Sequence, residues 1–238
     1  MKRFTRLAAA SLAASALAAA AALPAQAQTA RAAATSGTGT AGLKAAQTLT
    51  TSRIDGRLET LRALSMVVNN ATHLSTADRS TLGSLINSDI SGLTSLRSKV
   101  AAESTVAAVR ADATAMVDDY RVYMLVVPKV HLTNVFDIES AAATALQKVH
   151  DKLATRVAAA PGGGTSAEKS QLADMQAQIQ AAQQADANRV ATLLGIQPSP
   201  NADAIHSALS PLAGDAKDAR KALAQARDDA KKIRAALK

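Results

Sequence analysis

The stretch that decides the fold is Asp118-Asp119-Tyr120-Arg121-Val122-Tyr123-Met124-Leu125-Val126-Val127-Pro128-Lys129-Val130-His131. Both tyrosines of the 238-residue chain lie in it, and Phe136 follows within two helical turns. Val122 to Val127 is apolar without interruption. A run apolar on every side has no face for water, so it predicts the most buried segment. Pro128 removes a backbone donor and crowds the carbonyl of Met124, which predicts a break there with Pro128 opening a new helix.

Outward from this stretch the chain reads as helical. Aromatics make up 2% of residues and Trp is absent, so the core must be aliphatic. Alanine favours helices and lets them pack closely, while the alternation expected of strands is missing. A first helix is expected from about Lys44 to Thr72, with apolar positions Leu49, Ile54, Leu58, Leu61, Leu64 and Val68, at three- and four-residue spacing from Ile54 on. Ser75 and Asp78 mark a second helix start, and Leu82, Leu85, Ile86, Ile90, Leu93, Leu96 and Val100 form its stripe. The short connection implies that these two helices pack antiparallel.

A third helix starts near Glu103 or Ser104, its face including Met116, Tyr120 and Tyr123. The fourth runs from Pro128 to about Ala159, with Val135, Ile138, Ala142, Ala145, Leu146, Val149, Leu153 and Val157 inward. Pro161-Gly162-Gly163-Gly164 ends it, and Thr165 to Glu168 is a capping box for the fifth. Asp186 interrupts the apolar stripe of that helix, so packing should be poorest there. A sixth helix is expected from about Ala202 to Leu237, loosened near Pro211 and Gly214. The fold class is therefore all-α: an elongated antiparallel helical bundle of about six helices, broken near Pro128. Residue 128 and residues 161–165 are the candidate points for a subdivision of the domain spanning 43–238.

The N-terminus has the pattern of an export signal. Lys2, Arg3 and Arg6 precede an apolar Ala/Leu stretch, and Ala25-Gln26-Ala27 supplies the small residues of a cleavage site. Residues 1–27 are read as a signal peptide and 28–42 as a flexible linker. The expected location is extracytoplasmic, with no transmembrane span after cleavage. The chain has no cysteine, which excludes disulfides and thiolate chemistry.

The formal charge is +8, and much of it is local. From Asp215 onward eight basic residues face four aspartates. Arg227, Lys231, Lys232, Arg234 and Lys238 are the candidates for contact with an anionic surface, either cell-wall polymer or lipid headgroups. Nucleic acid is not expected, because no aromatic residue lies there to stack on bases. Insertion into a membrane would need bulky apolar residues opposite the charges, and that side is mostly alanine.

Catalytic patterns are missing. No His-Glu-x-x-His or Gly-x-Ser-x-Gly occurs, and neither His131 with Asp137 nor His150 with Asp151 has the spacing of helical metal ligands. No metal and no cofactor is expected. The one polar cluster tied to the apolar run is Tyr120, Arg121, Tyr123 and His131, with Lys129 beside them. It reads either as a small-ligand or catalytic site at the proline break, or as a core segment. In the second reading each hydroxyl finds a carbonyl, and Arg121 pairs with Asp118 or Asp119.

The chain also resembles a family of uncharacterised exported bacterial proteins of this length. The resemblance rests on Ser52-Arg53-Ile54-Asp55-Gly56-Arg57-Leu58, the Leu74-Ser75 to Leu82 turn, Tyr120-Arg121-Val122-Tyr123 through Pro128-Lys129-Val130-His131, and the Ala/Asp/Lys-rich last helix. It covers most of the mature chain. It implies a helical fold and export, and it supplies no site residues. The expected role is structural or interactive rather than enzymatic.

Overall fold

A computed structural model describes residues 35–237. Residues 1–34 and Lys238, which include the whole stretch read as a signal peptide and 28–34 of the expected linker, lie outside the described residues; the rest of that expected linker, 35–42, is helical. The described chain is all helical, with no strand among these residues. Its elements are α1 (Thr35–Asn70), α2 (Thr76–Ala102), α3 (Val106–Asp118), a π-helical turn (Val122–Val126), α4 (Val127–Ala159), α5 (Ser166–Asp186), α6 (Arg189–Gly195) and α7 (Ala202–Ala236). None of the described helices is long and apolar enough to cross a membrane.

Each boundary has a local cause. Ser75 accepts from the amide of Asp78 at the start of α2, and Thr105 accepts from Ala108 at the start of α3. Thr165 and Glu168 form the reciprocal capping box that opens α5. Before it, Gly162, Gly163 and Gly164 all have positive φ, the region glycine enters without steric cost. Asn201 caps α7 by accepting from Ala204. α1 begins at Thr35, earlier than the apolar pattern indicated. Its first apolar contact with the core comes only at Leu43.

The core has three parts. Ile54, Leu58, Leu61, Leu82, Ile86, Leu93, Val109 and Met116 pack α1, α2 and α3 together with Val122, Val126 and Val130. Leu146, Leu153, Met175, Ile179, Leu223 and Ile233 pack α4, α5 and α7. Phe136, Leu193, Leu212 and Ala216 form a smaller cluster where α4, α6 and α7 meet. α4 contributes to all three, so it is the spine of the fold. α1 and α2 are tied at opposite ends. Gln47 near the start of α1 donates to Val100, Ala101 and Glu103 at the end of α2. Arg79 near the start of α2 donates to Val68, Asn69 and Ala71 at the end of α1.

Several expectations change. The break lies before Pro128, at Asp119 to Arg121, because Arg121 takes a left-handed conformation (φ 44°, ψ 39°). Pro128 sits in the first turn of α4, which continues directly from the π-helical turn, so the register change of that turn falls where the proline has no N–H to give. Tyr123 and Met124 are exposed, so the apolar run is not buried throughout; Val122, Leu125 and Val126 are the residues it buries. The inner face of α4 is also rotated from the expected one. Phe136 anchors it, Glu139 and Ala143 follow at helical spacing, and Ile138 and Ala145 turn outward. The fifth helix stops at Asp186, and a separate short α6 follows Asn188, which has φ 60°. Asparagine tolerates that conformation better than most residues. α7 is helical through Pro211 and Gly214 where loosening was expected. Pro211 is exposed, so water can satisfy the carbonyl that loses its partner.

Candidate functional site

The residues of the Tyr120 cluster do not converge. Arg121 is buried. Its Nε donates to the carbonyl of Ser199 at 2.7 Å, and its Nη2 donates to Pro200 at 2.6 Å and to Asp118 Oδ1 at 2.8 Å. A non-glycine residue in the left-handed region costs about 1–2 kcal/mol. Three charge-assisted bonds outweigh that cost, so Arg121 is a strap that holds the loop before α7. Tyr123 points elsewhere. It is exposed, and the Arg57 guanidinium lies over its ring at 5.1 Å from the centroid. His131 is exposed on α4.

Tyr120 belongs to a different place. With Asp89, Lys129, Leu125 and Leu194 it lines a cavity of about 100 Å³. Its ring lies against Gly92, where an added Cβ would stand 2.4 Å from the hydroxyl. Lys129 is buried and donates to the carbonyls of Leu194 (2.9 Å) and Ile196. Asp89 Oδ2 has no hydrogen-bond partner, and burial raises its pKa to about 6 against the opposing pull of Lys129. Burial likewise lowers Lys129. Arg121 and Lys129 together hold residues 194–200 by their carbonyls. That accounts for two basic side chains beside an apolar run without any ligand.

A second buried polar site lies where α4, α5, α6 and α7 meet. Glu139 is 4% exposed. Neither its carboxyl oxygens nor those of Asp186 accept a bond from any donor group. Arg220 Nε stands 3.3 Å from Glu139 Oε1 as an ion pair without hydrogen-bond alignment. Arg189 pairs with Asp215 at 2.8 Å nearby. Burial, and then the charge of Asp186, raises Glu139 to about 7 despite Arg220. Burial, and then Asp215, raises Asp186 to about 6. A proton shared between the two carboxyls would supply the missing donor, and groups coupled in that way titrate together. A cavity of about 310 Å³ lined by Phe136, Asp137, Ser140, Gln183 and Asp186 adjoins it, at the turn where the Asp186 interruption predicts the poorest packing.

This pair makes stability depend on pH. Both pKa values are raised on folding. The folded chain therefore keeps protons that the unfolded chain releases as pH climbs past the ordinary carboxylate range. The pair's contribution is fully present below that range and is lost as pH rises through about 7. Glu139→Gln keeps a donor for Asp186 and removes the ionisation. Thermal unfolding at pH 5.5 and pH 8 checks this. The variant is expected to exceed wild type at pH 8 by an amount on the order of 1–2 kcal/mol, and to show a smaller loss between the two pH values. An unchanged pH dependence would remove the pair from the account.

The basic residues of the last helix are ordered rather than scattered. Successive helical residues turn by about 100°, so Arg220, Arg227, Lys231 and Arg234 fall in a sector about 60° wide. Asp218 and Asp229 lie on the far flank of α7, roughly 180° away. Lys231 pairs with Asp228 at 2.7 Å, and Lys232 pairs with Asp229 at 3.0 Å on the other flank. Arg220 and Arg227 line a groove with Val135, Ile138, Glu139 and Ala142 of α4, so the basic flank faces α4. Further along, Arg156 of α4 donates to the carbonyl of Leu237. Arg220 with Glu139 and Leu237 with Arg156 share a residue offset of 81, so α4 and α7 run in the same direction, in register. Lys238 lies outside the described residues.

Sequence reading missed Glu139 and Lys129 as buried groups. The three-residue steps from Phe136 to Glu139, and the four from Glu139 to Ala143, are the signal that could have placed Glu139 inward. Among the described residues no group of His, Cys, Asp or Glu is arranged to hold a metal ion. No protein-family model, curated protein or solved structure matches this chain.

Proposed function

We propose that this is an exported, non-catalytic helical protein that associates with anionic cell-envelope material through α7. The scaffold is a helical bundle in which α1 and α2 run antiparallel and α4 and α7 run in the same direction. The observation that supports the reading best is the separation of charge on α7. Exposed ion pairs at i, i+3 spacing account for Asp228 and Asp229. They leave a surplus of exposed Arg and Lys on the flank beside α4. The negative end of the helix dipole accommodates some of that charge but does not explain why it keeps to one flank.

Co-sedimentation of the chain from Gln28 with purified envelope material, across a salt series, tests this. Binding is expected at low salt and is expected to fall steeply above about 0.1 M, where screening acts within about 10 Å. No binding at low salt, or binding unchanged by deletion of residues 227–238, contradicts it.

A second reading places a small-ligand site at the cavity beside Asp89, Tyr120 and Lys129, on the strength of the unpartnered Asp89 oxygen. The small volume, and the commitment of Lys129 to two carbonyls, make it the weaker of the two.

A further inference from the structure

We propose that the crease between α4 and α7 is a track for a linear polyanion of repeating phosphates. Arg220, Arg227, Lys231 and Arg234 of α7 form one edge, joined by Lys152 and Arg156 of α4. This rests on the association reading above and names its partner.

The geometry of the edge favours a thread over a sheet. Arg220 to Arg234 covers 14 residues, about 21 Å of helix. The four cations stand beside α4 rather than on the outermost ridge of α7. That ridge carries Lys217, Lys221 and Asp228, a mixture of signs that gives a flat anionic surface little net attraction. A lipid surface would also seek bulky apolar side chains among the cations. Ile138, at 39% exposure, is the one large exposed apolar residue in the α4–α7 groove. A flexible polymer can instead lie along the crease and meet cations from both helices.

The cations are open to solvent. Arg220 and Lys231 side chains are 68% and 74% exposed. Arg227, Arg234, Lys152 and Arg156 are exposed as well. The Lys231–Asp228 pair is a surface pair, weak enough for a phosphate to replace. Three of the four α7 cations are arginines, whose planar fork takes two phosphate oxygens at once. The carboxylate on this crease is Glu139. It is buried and stands against Arg220, so its charge is turned away from the open crease.

The test uses the whole chain and long-chain inorganic polyphosphate as the probe. Vesicles containing anionic lipid, at equal total phosphate, form the comparison arm. Two triple variants remove the same charge from different flanks. Arg227→Gln with Lys231→Gln and Arg234→Gln strips the track. Lys217→Gln with Lys221→Gln and Lys232→Gln strips the ridge and the far side. All six positions are exposed, and glutamine is a good helix former. Circular dichroism checks each fold. The track variant is expected to weaken polyphosphate binding about tenfold, and the control variant by less than about threefold. Equal losses would show that only net charge matters, which overturns the track and leaves the association reading intact. Tighter binding to vesicles than to polyphosphate overturns the polymer as occupant. No binding to either probe removes both the track and the reading beneath it. Should the α7 triple fail to fold, Lys152→Gln with Arg156→Gln on α4 gives the same comparison, and an unchanged affinity there counts against the track.

Discussion

Arg121→Ala is expected to lose about 3 kcal/mol of stability and to lower the melting temperature by roughly 10 °C. The side chain makes three charge-assisted bonds, two of them to the carbonyls of Ser199 and Pro200. Truncation leaves these acceptors and Asp118 without their donor, and the loop before α7 loses one of its two anchors. Alanine keeps the Cβ that makes φ 44° unfavourable, so no strain is relieved. Arg121→Gly relieves it. The glycine variant should therefore be more stable than the alanine variant by about 1 kcal/mol, though still below wild type. Thermal or urea unfolding of the three proteins gives the ranking. An alanine variant within 1 kcal/mol of wild type would show that Lys129 alone holds the loop.

Phe136→Ala is expected to cost about 3–5 kcal/mol. Phe136 is 1% exposed and packs with Leu193, Leu212 and Ala216 at the meeting of α4, α6 and α7. It also forms one wall of the cavity beside Asp186. Removing the ring enlarges that cavity, and the surrounding helices cannot close it without shifting the Glu139–Asp186 pair. The variant should accordingly unfold at a lower urea concentration at pH 5.5 and pH 8 alike, with part of the Glu139-dependent pH sensitivity lost. A small loss with the pH dependence intact would mean that the cluster collapses locally and that the pair is held by other contacts.

How much of this was legible in the sequence differs along the chain. The all-helical class, the Ser75 start, the Thr165–Glu168 capping box, the α1 face from Ile54 to Val68 and the α2 face rest on local pattern, and they are what the structure contains; Leu49, expected on the α1 face, is exposed. The errors gather where a tertiary contact overrode the pattern. Tyr123 sits in an apolar run, but the left-handed Arg121 and the π-helical turn rotate it outward onto Arg57. Ile138 fits an apolar stripe, yet the single Phe on α4 fixes the helix rotation and turns Glu139 inward instead. Asp186 was legible as a fault in the stripe. Its buried partner was not, because the two carboxyls are far apart in sequence. The basic surplus near the C-terminus was legible as a count. Its confinement to one flank, and the identity of that flank as the one facing α4, needed the pairing of Glu139 with Arg220 and of Arg156 with Leu237.

The central claim is that anion binding belongs to the α4–α7 edge and not to the segment around Tyr120. Amine-acylation footprinting of the whole chain, with and without polyphosphate at low salt, addresses it most directly. The account predicts reduced labelling of Lys231 and Lys152, with Lys44, Lys169, Lys217, Lys221 and Lys232 unchanged. Protection spread evenly over all exposed lysines, or protection that spares Lys231 and Lys152, would contradict it.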